Sequence, residues 1–150
     1  MPVISATRYH DISCGHRVHG HEGKCQHLHG HNYRFTFTVV NSHTSGLDAL
    51  GRVVDFSVIK FTLCQWLEEI WDHKFLIWDQ DPIRFPLSEL DPTVVWTTFN
   101  PTAENMAAFM VEEVAPNLLK GSGCILTKCI VEETRKCSAE YRLYNNEESF

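Results

Sequence analysis

The feature that most constrains this chain is a run of histidines that leads directly into a strand pattern. Residues 16–33 read HRVHGHEGKCQHLHGHNY and contain six of the nine histidines in the sequence. The last two, His29 and His31, open an alternating apolar row that continues with Tyr33, Phe35, Phe37 and Val39. This alternation predicts a β-strand with one buried face. The fold must therefore bring a strand and a cluster of candidate metal ligands together.

The spacing of the histidines predicts three metal ligands. Residues two apart on a strand point to the same face, so His29 and His31 present their imidazoles side by side. We expect His16 to be the third ligand, because it shares a face of the preceding extended segment with Cys14. Three histidines leave a fourth position open for water or substrate, as at a catalytic zinc. The same ligand set would also accept nickel, iron or copper.

The remaining metal-binding side chains of this run are less constrained by their spacing. His19 and His21 repeat the His-Gly-His pattern but lie among glycines in a predicted loop, where we expect them to be solvated. Cys25 could be a ligand, a nucleophile or a base, and its position in the sequence leaves all three open.

Length and composition are typical of one soluble domain covering residues 1–150. The chain is 43% hydrophobic and 21% charged, without an apolar run of membrane-spanning length or a signal sequence, so we expect a cytoplasmic protein with no membrane partner. The six cysteines include no Cys-x-x-Cys pair, which indicates that most of them are free thiols. A net charge of −6 argues against nucleic-acid binding. Arg17 and Lys24 nevertheless make the histidine-rich end locally basic, which would attract an anionic small molecule.

Periodicity along the chain predicts an α+β fold. The predicted elements are strands 3–14 and 31–41, a helix of about sixteen residues capped by Asp55, an irregular surface loop over 77–95, a second helix from Thr102, and strands 124–134 and 138–145. This order predicts a four-stranded antiparallel sheet with two helices on one face. Unpaired sheet edges favour oligomerisation, so we expect subunits to join sheet to sheet.

Two pairs of adjacent polar residues are further candidates. Asp72 and His73 follow the first predicted helix, where they could be a capping arrangement or a proton-handling pair. Glu132 and Glu133 lie near the end of a predicted strand, and at most one of them can share the face of the core residues. An inward-facing glutamate there would be a candidate for ligand recognition.

Six separated segments, in order, resemble the successive motifs of the 6-pyruvoyltetrahydropterin synthase and 6-carboxytetrahydropterin synthase family. The resemblance covers nearly the whole chain, and the matching segments are Cys14–Arg17, Cys25–Tyr33, Val54–Phe56, Trp71–Leu76, Asn100–Asn105 and Glu132–Thr134. It implies the tunnelling fold, in which ββααββ subunits form a closed barrel as trimers that stack into hexamers, with active sites at subunit interfaces.

The resemblance also implies roles for individual residues. Zinc would be held by His16, His29 and His31, in agreement with the spacing argument. Cys25, Asp72 and His73 match the family's proton-handling residues, and Glu133 matches the carboxylate that anchors the pterin.

Within the family, the gap before the His-Gly-His motif indicates the reaction. Three residues separate Cys25 from His29, which is similar to the 6-carboxytetrahydropterin synthases of queuosine biosynthesis. This implies conversion of 7,8-dihydroneopterin triphosphate to 6-carboxy-5,6,7,8-tetrahydropterin, with release of acetaldehyde and triphosphate. The alternatives are 6-pyruvoyltetrahydropterin synthesis, as in the biopterin pathway, and a non-catalytic zinc- or pterin-binding homologue. The sequence departs from many relatives after Leu76, where Ile77 and a long acidic loop follow.

Overall fold

Residues 3–42 and 46–144, which the computed structural model describes, form a six-stranded sheet with helices packed on one face. The strands are β1 (Ala6–His16), β2 (His29–Asn41), β3 (Phe75–Trp78), β4 (Val95–Thr97), β5 (Cys124–Glu132) and β6 (Ser138–Arg142). Their order across the sheet is β4-β3-β1-β2-β5-β6. The α+β prediction is confirmed. Strands β1 and β2 pair antiparallel, from Ala6 opposite Val39 to His16 opposite His29.

Two long helices and one short helix accompany the sheet. Helix α1 covers residues 56–71 and consists of an α-helical start, Phe56–Ile59, followed by wider π-helical turns at Lys60–Cys64 and Leu67–Trp71. Helix α2 is Arg84–Leu90. Helix α3 covers residues 103–118 and consists of Ala103–Phe109, a π-helical stretch Met110–Val114, and Ala115–Leu118. None of the helices in the described part of the chain is long and apolar enough to cross a membrane.

Both long helices begin at the predicted caps. The Asp55 carboxylate accepts the Ser57 N–H, and the Thr102 hydroxyl accepts the Asn105 N–H at 3.1 Å. Each bond satisfies a backbone donor that has no partner within its own helix. These caps fix where the helices start relative to the sheet.

The core lies between the helices and the apolar face of β2. Tyr33, Phe35, Phe37 and Val39 are fully buried there. They form one hydrophobic cluster with helix residues that include Ile59, Leu63, Leu67, Trp71, Met106 and Met110. Fully burying one such side chain contributes about 1.5–3 kcal/mol. This packing holds the start of β2, and with it the two histidines, in a fixed place.

The prediction of a four-stranded antiparallel sheet is wrong, because β3 and β4 add two parallel strands beside β1. Phe75 pairs with Gly15, and Leu76 pairs with Val95. The sequence prediction placed 77–95 in an irregular loop, but this region also contains α2. Strands of four and three residues are too short to show an alternating pattern.

A glycine makes the contact between β1 and β3 possible. A Cβ atom on Gly15 would lie 2.5 Å from Cδ2 of Phe75, which is closer than real side chains approach. Gly15 also donates its N–H to the carbonyl oxygen of Lys74 at 3.0 Å. Only glycine lets the two strands lie this close.

Strand β5 contains a bulge next to β2. Glu132 pairs with Arg34 and Lys128 with Thr38, but Val39 then pairs with Leu126, so Thr127 is the extra residue. The Thr127 hydroxyl donates to the Thr38 carbonyl oxygen at 3.2 Å. The predicted last strand is shorter than expected and ends at Arg142; residue 145 lies outside the described residues.

Candidate metal centre and active site

Three histidines meet where β1 ends and β2 begins. His16 lies opposite His29 and Cys14 lies opposite His31, so all of these side chains share the core face of the sheet. The imidazole centroids are 4.5 Å apart for His16 and His29, 5.1 Å for His16 and His31, and 4.9 Å for His29 and His31. One nitrogen from each ring lies within 4.8 Å of the others. The cluster could hold a metal ion.

Backbone carbonyls fix the orientation of two of these rings. Nδ1 of His16 donates to the carbonyl oxygen of Pro101 at 2.6 Å, and Nδ1 of His29 donates to that of His27 at 2.7 Å. Each ring then has Nε2 available for a ligand, which is the usual arrangement behind metal-binding histidines. Nε2 of His16 and of His31 is buried without a hydrogen-bond partner among the described residues. Buried nitrogens of this kind fit a bound cation.

The surroundings favour neutral imidazoles, which metal binding requires. Burial and, to a smaller extent, the neighbouring His29 and His31 lower the pKa of His16 to about 4 despite the bond to Pro101, which raises it. Burial also lowers the pKa of His31, which the charge of Glu133 partly offsets. Both rings are therefore neutral at pH 7.

Glu133 is the glutamate that faces this cluster. Its two carboxylate oxygens lie 3.9 Å from Nε2 of His16 and 3.9 Å from Nε2 of His31. Glu132 instead lies opposite Arg34, on the other face of the sheet. The carboxylate of Glu133 can therefore contact a ligand bound next to the histidines.

Asp72 and His73 form a hydrogen-bonded pair that is anchored on β1. Nδ1 of His73 donates to one carboxylate oxygen of Asp72 at 2.7 Å, and the N–H of Ser13 donates to the other at 2.9 Å. The backbone N–H of His73 donates to the Ser13 carbonyl oxygen at 2.7 Å. His73 has φ 59°, a left-handed conformation that is uncommon for a residue with a side chain. The pair is thus held by the sheet.

The electrostatics of Asp72 suit a role in orienting the imidazole. Burial raises the pKa of Asp72, but the bonds from Ser13 and His73 and the charge of His73 outweigh it and keep the pKa below its usual value. The His73 side chain is 81% exposed. An ionised aspartate behind an accessible imidazole is an arrangement that can accept and return protons.

One cavity connects the pair to the histidine cluster. It has a volume of about 780 Å³, and its lining includes His31, Asp72, His73 and Glu133. Cys25 does not line this cavity. It lies partly buried in a short 3-10 turn, Lys24–Gln26, between β1 and β2. The cavity lining and the histidine cluster thus include all the predicted site residues except Cys25.

A tyrosine hydroxyl at the site was not anticipated from the sequence. Tyr33 belongs to the apolar row, but its hydroxyl is buried without a hydrogen-bond partner among the described residues. Its ring lies edge-on to His16 and His31, with centroids 5.8 and 5.3 Å away. Burial raises the pKa of Tyr33, and the carboxylate of Glu133 raises it further. The phenol therefore remains a hydrogen-bond donor. The sequence feature that could have predicted its place at the site is its position two residues after His31, on the same face of the strand.

Arg17, one of the two cations expected to attract an anion, is bound within the protein. Its Nε and Nη2 each donate to a carboxylate oxygen of Asp81 at 2.6 Å. Asp81 comes from the region that was predicted to be a surface loop, yet it is fully buried. The guanidinium is therefore engaged by a carboxylate rather than open to solvent anions.

Comparison with known proteins agrees with this geometry. The sequence model of the family described as 6-pyruvoyl tetrahydropterin synthase matches residues 5–143. A protein of Rickettsia bellii named 6-carboxy-5,6,7,8-tetrahydropterin synthase is 35% identical over 140 residues, covering 92% of this chain and 99% of the relative. The protein of the same name from Rickettsia felis is 33% identical over the same shares.

Solved structures show the same fold. An uncharacterised protein of Wolinella succinogenes superposes with a TM-score of 0.80 at 21% identity, covering 95% of this chain and 99% of that one. The 6-pyruvoyl tetrahydropterin synthase of Caenorhabditis elegans superposes with a TM-score of 0.67 at 23% identity, covering 96% and 98%. At these identities the likeness concerns the fold alone.

Proposed function

The chain belongs to the 6-pyruvoyl tetrahydropterin synthase family as an enzyme of lyase type, and on this premise we propose its reaction. It converts 7,8-dihydroneopterin triphosphate to 6-carboxy-5,6,7,8-tetrahydropterin and releases acetaldehyde and triphosphate, in queuosine and related 7-deazapurine biosynthesis. The names of the Rickettsia relatives and the three-residue gap between Cys25 and His29 support this product.

The observation that carries the proposal is a cavity lined by one member of the three-histidine cluster, His31, together with the inward glutamate and the aspartate–histidine pair. His16, His29 and His31 would hold zinc through their Nε2 atoms. When bound there, zinc supplies Lewis-acid chemistry toward the oxygens of the substrate's side chain. The histidines suit this role because backbone carbonyls fix the rings of His16 and His29, and Nε2 of His16 and of His31 has no hydrogen-bond partner among the described residues.

Glu133 would anchor the pterin ring. A pterin presents a ring N–H next to an amino group, and a carboxylate can accept two parallel hydrogen bonds from such a pair. The carboxylate lies next to the histidines and lines the cavity, so a ring held by it would have its side chain near the metal centre. Recognition and reaction would then take place on neighbouring residues.

Cys25, Asp72 and His73 would move the protons. Asp72 would fix the His73 ring through Nδ1, which leaves Nε2 of His73 to take and return a proton. A thiol close to a cation ionises more readily, which would let Cys25 exchange protons with substrate carbon or oxygen.

We further propose a homo-oligomer, a trimer or a hexamer built as a closed barrel. Strands β4 and β6 are the edges of the sheet within the described residues, each paired on one side. Joining such edges between subunits would satisfy their backbone groups. The molar mass in solution, measured by light scattering, tests this; a monomer at micromolar concentration would contradict it.

The reaction is tested by incubating the purified protein with 7,8-dihydroneopterin triphosphate, with and without a zinc chelator. We expect acetaldehyde and a carboxylated tetrahydropterin by mass, both lost on chelation and restored by zinc. The Cys25→Ala variant should bind zinc normally without turnover. A 6-pyruvoyl product without acetaldehyde would instead indicate the 6-pyruvoyltetrahydropterin reaction, and zinc binding without any turnover would indicate a binding protein.

A further inference from the structure

The loop that carries Cys25 makes few bonds of its own. We call residues 17–28, between β1 and β2, the cysteine loop. Apart from its one short 3-10 turn, the internal backbone bonds include Val18 N–H to the Cys25 carbonyl oxygen at 2.8 Å and His21 N–H to the Val18 carbonyl oxygen at 3.2 Å. Such a loop depends on outside contacts for a defined position.

The strongest outside contact is the ion pair between Arg17 and Asp81. Both carboxylate oxygens of Asp81 accept from the guanidinium at 2.6 Å, which is the two-point geometry that fixes orientation as well as distance. The Asp81 side chain is 1% exposed and that of Arg17 is 18% exposed. A buried pair of this kind resists exchange with water, and loss of one partner would leave a buried charge.

Asp81 is itself held firmly by its own segment. The N–H of Ile83 donates to one carboxylate oxygen at 3.0 Å, and Nη1 of Arg84 donates to the Asp81 carbonyl oxygen at 2.8 Å. The Asp81 side chain is therefore held in place even without its contact to Arg17. It lies in the acidic region between β3 and β4.

A second contact fixes the next part of the cysteine loop. The side-chain amide of Asn100 accepts the His19 N–H at 3.2 Å and donates to the His19 carbonyl oxygen at 2.9 Å. The adjacent residue, Pro101, is the one whose carbonyl accepts from His16. The start of the cysteine loop is thus held by Asp81 and by Asn100, and Asn100 is adjacent to the residue whose carbonyl orients His16.

We propose that Asp81 is a positioning residue, which acts through Arg17 to hold the cysteine loop and thereby the Cys25 thiol in a defined place relative to the three histidines. The inference rests on the proposed function, since a fixed thiol matters for catalysis only if Cys25 handles protons. It assigns a role to the acidic region: this region supplies a buried carboxylate to the loop of the active-site cysteine.

The reactivity of Cys25 tests this without any turnover. The zinc-loaded protein is treated with iodoacetamide, and alkylation of each cysteine is followed by peptide mass spectrometry. Cys137 is exposed and serves as an internal reference, whereas the other four cysteines are buried. In Asp81→Asn, the rate of alkylation of Cys25 relative to that of Cys137 should rise at least about fivefold. Without the ion pair the cysteine loop opens more often and exposes the thiol to iodoacetamide.

Kinetics separate positioning from simple stabilisation. In Asp81→Asn, kcat should fall about 10–100-fold with KM and bound zinc unchanged, since small displacements of a reacting group are costly. Asp79→Asn is the matched control, because its side chain contacts Gln80 in the same segment but not the cysteine loop. A stability loss with an unchanged Cys25/Cys137 ratio and unchanged kcat would overturn the proposal.

A second variant covers the case in which Asp81→Asn does not fold. Arg17→Lys keeps the charge but loses the two-point contact. It should raise the Cys25/Cys137 ratio in the same direction, and an unchanged ratio would contradict the proposal. If the wild type does not convert the pterin, the proposed function fails while the alkylation ratio still decides whether Asp81 positions the loop.

Discussion

His16 donates its Nδ1 hydrogen to the carbonyl oxygen of Pro101 over 2.6 Å, so its Nε2 is the nitrogen left for a ligand. The ring is buried, and no described residue accepts from or donates to that Nε2. A candidate metal ligand on β1 is thus oriented by a residue 85 positions further along the chain.

Removal of one histidine should weaken zinc binding. We expect His29→Ala and His31→Ala each to lower zinc affinity at least about tenfold. Replacing a residue that only hydrogen-bonds to a metal ligand already lowers metal affinity by about tenfold or more, and loss of the ligand itself should cost at least as much. Competition with a chromophoric chelator measures this. The control is His27→Ala, an exposed residue whose contact with His29 uses only its backbone carbonyl. Equal zinc affinity in His31→Ala and the wild type would show that the cluster is not the metal site.

The aspartate–histidine pair should affect turnover more than stability. We expect His73→Asn to lower kcat about 10²–10⁴-fold, the usual contribution of a general acid or base. Its melting temperature should stay close to that of the wild type, because asparagine tolerates the left-handed conformation that His73 adopts. In contrast, His73→Val should be clearly less stable. Retention of full turnover in His73→Asn would exclude a proton-handling role.

The close contact between β1 and β3 predicts a steric cost. Gly15→Ala places a Cβ atom 2.5 Å from Cδ2 of Phe75 and should lower the free energy of unfolding by about 1–3 kcal/mol. Adding Phe75→Leu should restore part of this loss. Gly46→Ala is the control, since a Cβ there meets nothing within 4 Å. Urea denaturation measures all four proteins, and equal midpoints for both alanine variants would contradict the predicted clash.

The buried hydroxyl of Tyr33 should not stabilise the metal-free protein. Tyr33→Phe removes a polar group that has no partner among the described residues, and leaving such a group unpaired costs about 1–3 kcal/mol. We therefore expect the free energy of unfolding of Tyr33→Phe, without metal, to equal or exceed that of the wild type. Phe35→Ala, at the next position in the row, should instead lose about 3–5 kcal/mol. A destabilised Tyr33→Phe would reveal a partner for the hydroxyl.

The Arg17–Asp81 pair predicts an acid-dependent loss of stability. Burial alone would raise the pKa of Asp81, but hydrogen bonds from Arg17 and the Ile83 N–H, together with the charge of Arg17, lower it; His19 lowers it further. The pKa of Asp81 in the folded protein lies below its unfolded value of about 3.9. The contribution of the ionised Asp81 to the free energy of unfolding is therefore fully present above about pH 3.9. It is lost as the pH falls through the folded pKa.

The comparison of wild type with Asp81→Asn measures this contribution. The difference in their free energies of unfolding should be constant above about pH 5 and should shrink below about pH 4. Of the other charged groups near this carboxylate, Arg84 contacts only the backbone carbonyl of Asp81. A difference that stays constant to the lowest measurable pH would show that folding does not lower the pKa of Asp81.

The sequence was sufficient for features that depend on local patterns. The alternation after His29 predicted β2, and the two-residue spacing predicted that His29 and His31 would lie side by side. Short parallel strands were not predictable, because the pairing of Phe75 with Gly15 joins residues far apart and has no periodic signal of its own. The ion pair of Arg17 with Asp81 spans 64 positions and was missed for the same reason.

The bulge at Thr127 has a consequence for how the length of β5 can vary among relatives. Strand residues alternate between two faces, so the extra residue determines that Glu133, and not Glu132, meets the histidines. An insertion or deletion of a single residue between Thr127 and Glu133 would exchange the two glutamates, whereas a change of two residues would not. Evolution can therefore alter this stretch only in even steps without losing the inward carboxylate.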